Sequence, residues 1–130
     1  MRVFEPLPAE IESLSKQTVD ASIKVHRALG PWLLESVYET CLAHELRQRG
    51  LKVETQVVIP VVYDGVFLEA GLRLDLINKQ LIVEVKAVEQ MNRIFKAQVL
   101  TYLKLANLRL ALLINFNVPL LRDGIERVIL

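Results

Sequence analysis

From Arg109 to Phe116 the chain is an almost unbroken apolar run, and such a run suits a strand covered on both faces. A second segment, Leu81–Val88, resembles it: Leu81, Ile82, Val83, Val85, Ala87 and Val88 are apolar, so this strand too reads as mostly buried. Upstream, the period is helical. Ile11, Leu14, Thr18, Ser22, Val25 and Leu29 recur at spacings of three and four, which predicts a helix over Pro8 to Leu29, stopped by Gly30-Pro31. A second helix is expected from Leu33 to Arg49, with Leu34, Val37, Tyr38, Cys41 and Leu42 on one face and Gly50 closing it.

The period then changes. Val53–Tyr63 is rich in β-branched residues, and Asp64-Gly65 is a strong hairpin signal. Phe67–Ile77 alternates, with Leu68, Ala70, Leu72, Leu74 and Leu76 on one side and Glu69, Gly71, Arg73 and Asp75 on the other. A turn at Asn78-Lys79 leads to Leu81–Val88, so these three segments are expected to form an antiparallel meander. Met91 to Asn107 returns to helical period, and Ile125–Leu130 suits a short last strand.

A length of 130 residues fits one domain, 1–130, with enough chain to bury a core. A formal net charge of +1 supplies no global field to gather nucleic acid, so a phosphate-binding surface has to be a local patch. Arg47, Arg49, Lys52, Arg93 and Lys96 are the candidates for one. The 52% hydrophobic content exceeds the globular norm; a dense core and a homodimer interface are both uses for the surplus. Cys41 is the sole cysteine, which excludes an intrachain disulfide and reads as a small buried hydrophobe. Met1–Leu7 shows no signal-peptide run, and Leu108–Leu121 is too interrupted to cross a bilayer. A soluble, cytoplasmic protein with no membrane partner is the expectation.

The chemistry sits on the second and third strands. Asp75 and Glu84 lie on strands joined by a short turn, so antiparallel pairing is expected to bring their carboxylates together; Glu84 and Lys86, two apart, point to one side. Ionised groups in such an apolar strand are costly unless paired or bound to a cation. Two carboxylates beside a lysine suit a hard divalent ion such as Mg²⁺, which polarises a phosphoryl oxygen and acidifies water, with the lysine steadying developing negative charge. On spacing alone the plainer reading, a solvated strand face with a weak ion pair, stands ahead.

Context adds to this. An acid strand with Asp75, a turn, the strand Leu81-Ile82-Val83-Glu84-Val85-Lys86 and a helix from Met91 resemble the site layout of the PD-(D/E)XK nuclease superfamily. Gln98 and Tyr102, four apart on one helix face, resemble the Gln-xxx-Tyr element of its exonuclease branch. The segment from Val25 to Glu39, including Gly30-Pro31-Trp32-Leu33-Leu34-Glu35-Ser36-Val37-Tyr38, is similar to the signature of the bacterial GxxExxY proteins, a family assigned to that superfamily. Tyr63-Asp64-Gly65, Glu84-Val85-Lys86-Ala87-Val88, Ala97–Lys104 and Leu113–Leu120 are further likenesses, so the resemblance spans residues 17 to 130. One departure is plain: the glycine that opens the family's name corresponds to Trp32, while Glu35 and Tyr38 are in place.

The resemblance implies an α/β fold with a restriction-endonuclease-like core, a mixed central sheet of four or five strands flanked by helices. It implies Asp75 and Glu84 as metal ligands, Lys86 as the catalytic lysine, and Glu35 as an extra ligand projecting from the second helix. Gln98 and Tyr102 would orient a substrate strand or the lysine. The implied cofactor is Mg²⁺ or Mn²⁺, and the implied partner is DNA or RNA, hydrolysed at its phosphodiester bonds. The alternative is a module that keeps the nuclease fold and binds nucleic acid or protein without cutting.

Overall fold

The computed structural model describes residues 5–130; residues 1–4, part of the stretch read as lacking a signal peptide, lie outside the described residues. Helix α1 spans Ala9–Leu29 and buries Leu14, Thr18, Ser22 and Val25 of the expected stripe together with Ala21, while Leu29 at its end is exposed. Its buried hydroxyls stay satisfied within the helix: Thr18 Oγ1 donates to the Leu14 carbonyl (2.8 Å) and Ser22 Oγ to that of Thr18 (2.7 Å). Helix α2 spans Glu35–Gln48, starting two residues later than the periodicity suggested.

The loop between the helices is held by one side chain. Tyr38 is fully buried, stacks on Phe116 at 4.5 Å between ring centroids, donates its hydroxyl to the Gly30 carbonyl (2.5 Å) and accepts from the Leu33 amide (3.2 Å). Within that loop Trp32 adopts φ 78°, the left-handed region that suits glycine, while its side chain is 73% exposed. Little burial offsets the strain. Trp32→Gly should therefore raise unfolding free energy by about 1 kcal/mol, read by urea denaturation. A loss of stability would mean that the exposed indole has a packing role.

Strands β1 (Val53–Val58), β2 (Val61–Tyr63), β3 (Val66–Leu68), β4 (Arg73–Ile77) and β5 (Leu81–Lys86) follow. Helix α3 spans Arg93–Ala106, strand β6 Leu110–Asn115, and a 3₁₀ turn at Leu121–Gly124 leads to β7 (Ile125–Ile129). Asn92 caps α3 by accepting from the Ile94 amide (3.0 Å), which starts the helix two residues after Met91. The main sheet runs in the order β1-β4-β5-β6-β7, all neighbours antiparallel except β5 and β6. The β5-α3-β6 crossover makes that pair parallel. This is the mixed five-stranded sheet flanked by helices that the resemblance implied.

The meander is present as β1-β4-β5, but it is not three continuous strands. Pro60, which has no amide hydrogen for a ladder, ends the first pairing, and Gly71 (φ 76°) bends the returning chain. The sheet closes beneath the interruption through the Ile59 amide and the Leu72 carbonyl (2.9 Å). Above it, β2 and β3 form a separate hairpin around Asp64-Gly65, both at positive φ, with Tyr63 and Phe67 72% and 75% exposed. Leu68 thus leaves the apolar face on which alternation placed it; Leu72, Leu74 and Leu76 stay on it.

Side chains alternate between two cores. Ile77, Leu81, Val83, Val85, Leu112 and Ile114 pack on α1 and α2; Leu74, Leu76, Ile82, Ala111 and Leu113 pack with Val99 and Leu103 of α3. All six residues of β6 are buried, as its apolar run demanded. Cys41 is a free thiol, partly buried against the α1/α2 core. Among the described residues no helix is long and apolar enough to cross a membrane.

Candidate active site

The site forms where two paired strands part. The β4-β5 ladder runs from Ile77↔Leu81 through Leu76↔Ile82 to Asp75↔Val83 and stops there. Beyond it lies a cleft of about 370 Å³ lined by Glu35, Ser36, Glu39, Gln56, Arg73, Asp75, Val83, Glu84 and Val85. That volume has room for a phosphate group and its waters. Cross-strand pairing is not what unites Asp75 and Glu84. Asp75 opposes Val83 and so starts from the α1/α2 side, whereas Glu84 follows Ile82 toward the α3 side. The two share the cleft because the ladder ends between them, leaving Glu84 without a β4 residue opposite.

Asp75 is only 8% exposed. Its Oδ1 accepts the Gln56 amide hydrogen at 2.8 Å, and Glu39 stands within hydrogen-bonding reach of it. Burial is the main force on its carboxyl, and the approach of Glu39 and the charge of Glu84 add to it; against the Gln56 hydrogen bond they raise its pKa to about 7. Burial also raises Glu84, with Glu35 and Glu39 adding repulsion and Lys86 opposing. The sheet thus holds two carboxyls in an environment that disfavours their charge and would be relieved by a cation.

Lys86 is held apart from the cleft's lining. Its Nζ lies 3.4 Å from Glu84 Oε1 and 4.6 Å from the centroid of the Phe95 ring on α3. The chain after it is fixed by Asn115, which is buried and pairs with both the amide and the carbonyl of Val88 (3.0 and 2.9 Å). Glu35 lines the cleft from the first turn of α2. Gln98 is exposed on α3 and Tyr102 is half-buried against the core on that side; neither lines the cleft. Of the proposed phosphate contacts, Arg47 and Arg49 donate to carbonyls and Lys52 and Lys96 pair with Glu54 and Glu126. The cation lining the cleft is Arg73.

Glu39, Gln56 and Arg73 were absent from the sequence-based set. Glu39 had one legible signal, since it lies one helical turn from Glu35 and must share its face. Gln56 had none.

All donors in the cleft are oxygens, which suits a hard ion of the Mg²⁺ or Mn²⁺ type. Among the described residues no three His, Cys, Asp or Glu side chains already form a complete metal cage. A small divalent ion of this kind takes only one or two carboxylates and fills its shell with water and phosphate oxygens, so a pair such as Asp75 and Glu84 would be a sufficient protein share.

A mixed sheet that opens onto carboxylates at the parting of two strands, between helices on both faces, defines an α/β domain of the nuclease-like class. The family model for the PD-(D/E)XK nuclease superfamily matches residues 12–128, and the chain belongs to that superfamily. Searches of curated proteins and of solved structures gave no match.

Proposed function

We propose that the protein is a Mg²⁺- or Mn²⁺-dependent nuclease that hydrolyses phosphodiester bonds of DNA or RNA. The observation that carries this reading is the confinement of Asp75 and Glu84 to one cleft where burial and neighbouring carboxylates disfavour the charge of both, inside a PD-(D/E)XK domain. Asp75 and Glu84 would hold the ion, with Glu35 as an outer donor. A bound divalent ion would supply charge neutralisation at the phosphoryl oxygens and a more acidic attacking water. Arg73 would receive a flanking phosphate. Lys86, partnered by Glu84, would steady the charge that develops as water adds and the P–O bond breaks. Gln98 and Tyr102, on the helix that carries Phe95, would line the approach of a substrate strand.

Membership among the bacterial GxxExxY proteins belongs to the same proposal. It is supported by Glu35 in the cleft, by the locking role of Tyr38, and by the left-handed backbone at Trp32, where the family's glycine would sit without strain. A cytoplasmic location and a homodimer complete the reading, the latter supported by the exposed apolar hairpin β2-β3.

A screen over single- and double-stranded DNA and RNA with Mg²⁺ or Mn²⁺ tests the reaction. Cleavage of at least one substrate should depend on the metal and fall about 10²–10³-fold in Lys86→Ala. Equal rates in that variant, or no cleavage of any substrate, would refute it. The second outcome would favour a binding module that does not cut, a reading supported by the placement of the Lys86 ammonium over Phe95 instead of in the cleft.

A further inference from the structure

Strand β1 departs from regular geometry at one place, and it is at the cleft's edge, where Gln56 lines it. Glu54 pairs with Leu76, but the next partners are Val57 and Leu74. Three steps along β1 therefore match two along β4, so β1 carries one extra residue, a bulge. Within the bulge Gln56 has φ 55°, the left-handed region that a non-glycine residue adopts only under strain. Packing does not explain that strain, because Gln56 is exposed.

The strained backbone turns the Gln56 amide away from the ladder and toward Asp75 Oδ1 (2.8 Å), while its side-chain Nε2 donates to Glu39 Oε2 (2.8 Å). One residue thus ties β1 to β4 and to α2 at the cleft. We propose that Gln56 is a positioning residue, and that its two-ended clamp makes Glu39 a working carboxylate of the metal site beside Asp75. The inference rests on the nuclease reading and deepens it. The chemistry of the side chain is suited to the task. A glutamine donates to a carboxylate without neutralising it, whereas a lysine or arginine would compete with a cation and a glutamate would repel Glu39. Outer residues that fix a ligand's orientation in this way commonly govern metal affinity.

Gln56→Gly isolates the clamp, since glycine keeps the backbone donor, suits positive φ and deletes only the exposed side chain that reaches Glu39. Titration calorimetry with Mn²⁺ alone, on wild type, Gln56→Gly, Glu39→Gln and the double variant, is paired with metal-free thermal unfolding. Gln56→Gly should unfold at the wild-type temperature or above and bind Mn²⁺ about 10-fold more weakly. The double variant should bind no more weakly than Glu39→Gln, because Gln56 acts through Glu39. A lowered unfolding temperature with unchanged affinity, or independent losses that add, would overturn the positioning role while leaving the nuclease reading intact. Absence of Mn²⁺ binding by the wild type would remove both.

Discussion

Asp75→Asn should yield an inactive protein that is more stable than the wild type at alkaline pH in the absence of metal. The folded-state pKa of about 7 lies above the ordinary 3.8, so between those values the native state holds a proton that the unfolded chain has released. Stability is therefore full below the ordinary value and is lost as pH rises through about 7. A fully sealed group displaced this far would account for about 4 kcal/mol; water in the cleft screens the charge, and about 2 kcal/mol is expected. Asparagine removes that ionisation and still accepts the Gln56 amide hydrogen, so the variant should lose the part of the pH dependence between pH 5 and 8 that Asp75 supplies. Mn²⁺ should raise wild-type stability, by about 2.7 kcal/mol at a hundred times Kd, and should leave Asp75→Asn almost unaffected. Denaturant titrations across this pH range, with and without Mn²⁺, would decide it. A variant less stable than wild type at pH 8 would contradict the electrostatic account of the cleft.

The second large effect is expected at Tyr38. Its ring is fully buried on Phe116, and truncation to alanine should cost about 3–5 kcal/mol, a large part of the 5–15 kcal/mol typical of a small domain. Tyr38→Phe keeps the stack and loses only the hydroxyl bridge between the Gly30 carbonyl and the Leu33 amide, at about 1–2 kcal/mol. Urea unfolding of both variants separates the two contributions. A phenylalanine variant as unstable as the alanine one would place the whole effect on the hydroxyl. Because this bridge sets where α2 begins, Tyr38→Phe should also loosen the placement of Glu35 and Glu39, which that helix carries into the cleft.

What could be read in advance was whatever depends on local period and turn chemistry. Both buried strands were visible in their apolar runs. The Asn78-Lys79 turn, with both residues at positive φ, and the Asp64-Gly65 hairpin fell where they were expected. Alternation also put Glu84 and Lys86 on one side of β5, where they pair at 3.4 Å. It could not fix distance across the sheet, and this is why the meeting of Asp75 and Glu84 was anticipated for the wrong reason: the strand pairing that was expected to join them places them on opposite sides. Their meeting depends on where the ladder ends, which is set by tertiary twist and by the insertion above it. Gln56 shows the same limit in sharper form. A single glutamine in a β-branched strand gives no sign that it sits in a bulge, and Glu39 resembles any solvent-facing helix carboxylate until α2 is docked.

The hairpin β2-β3 grows from two chain segments that are already stitched together at Ile59 and Leu72. Such an arm is modular: its length and surface can be redrawn beyond the stitch without altering the strands that carry the carboxylates. A lineage with this architecture can therefore change what its arm touches while its chemistry stays fixed, and two proteins with the same cleft need not share a target.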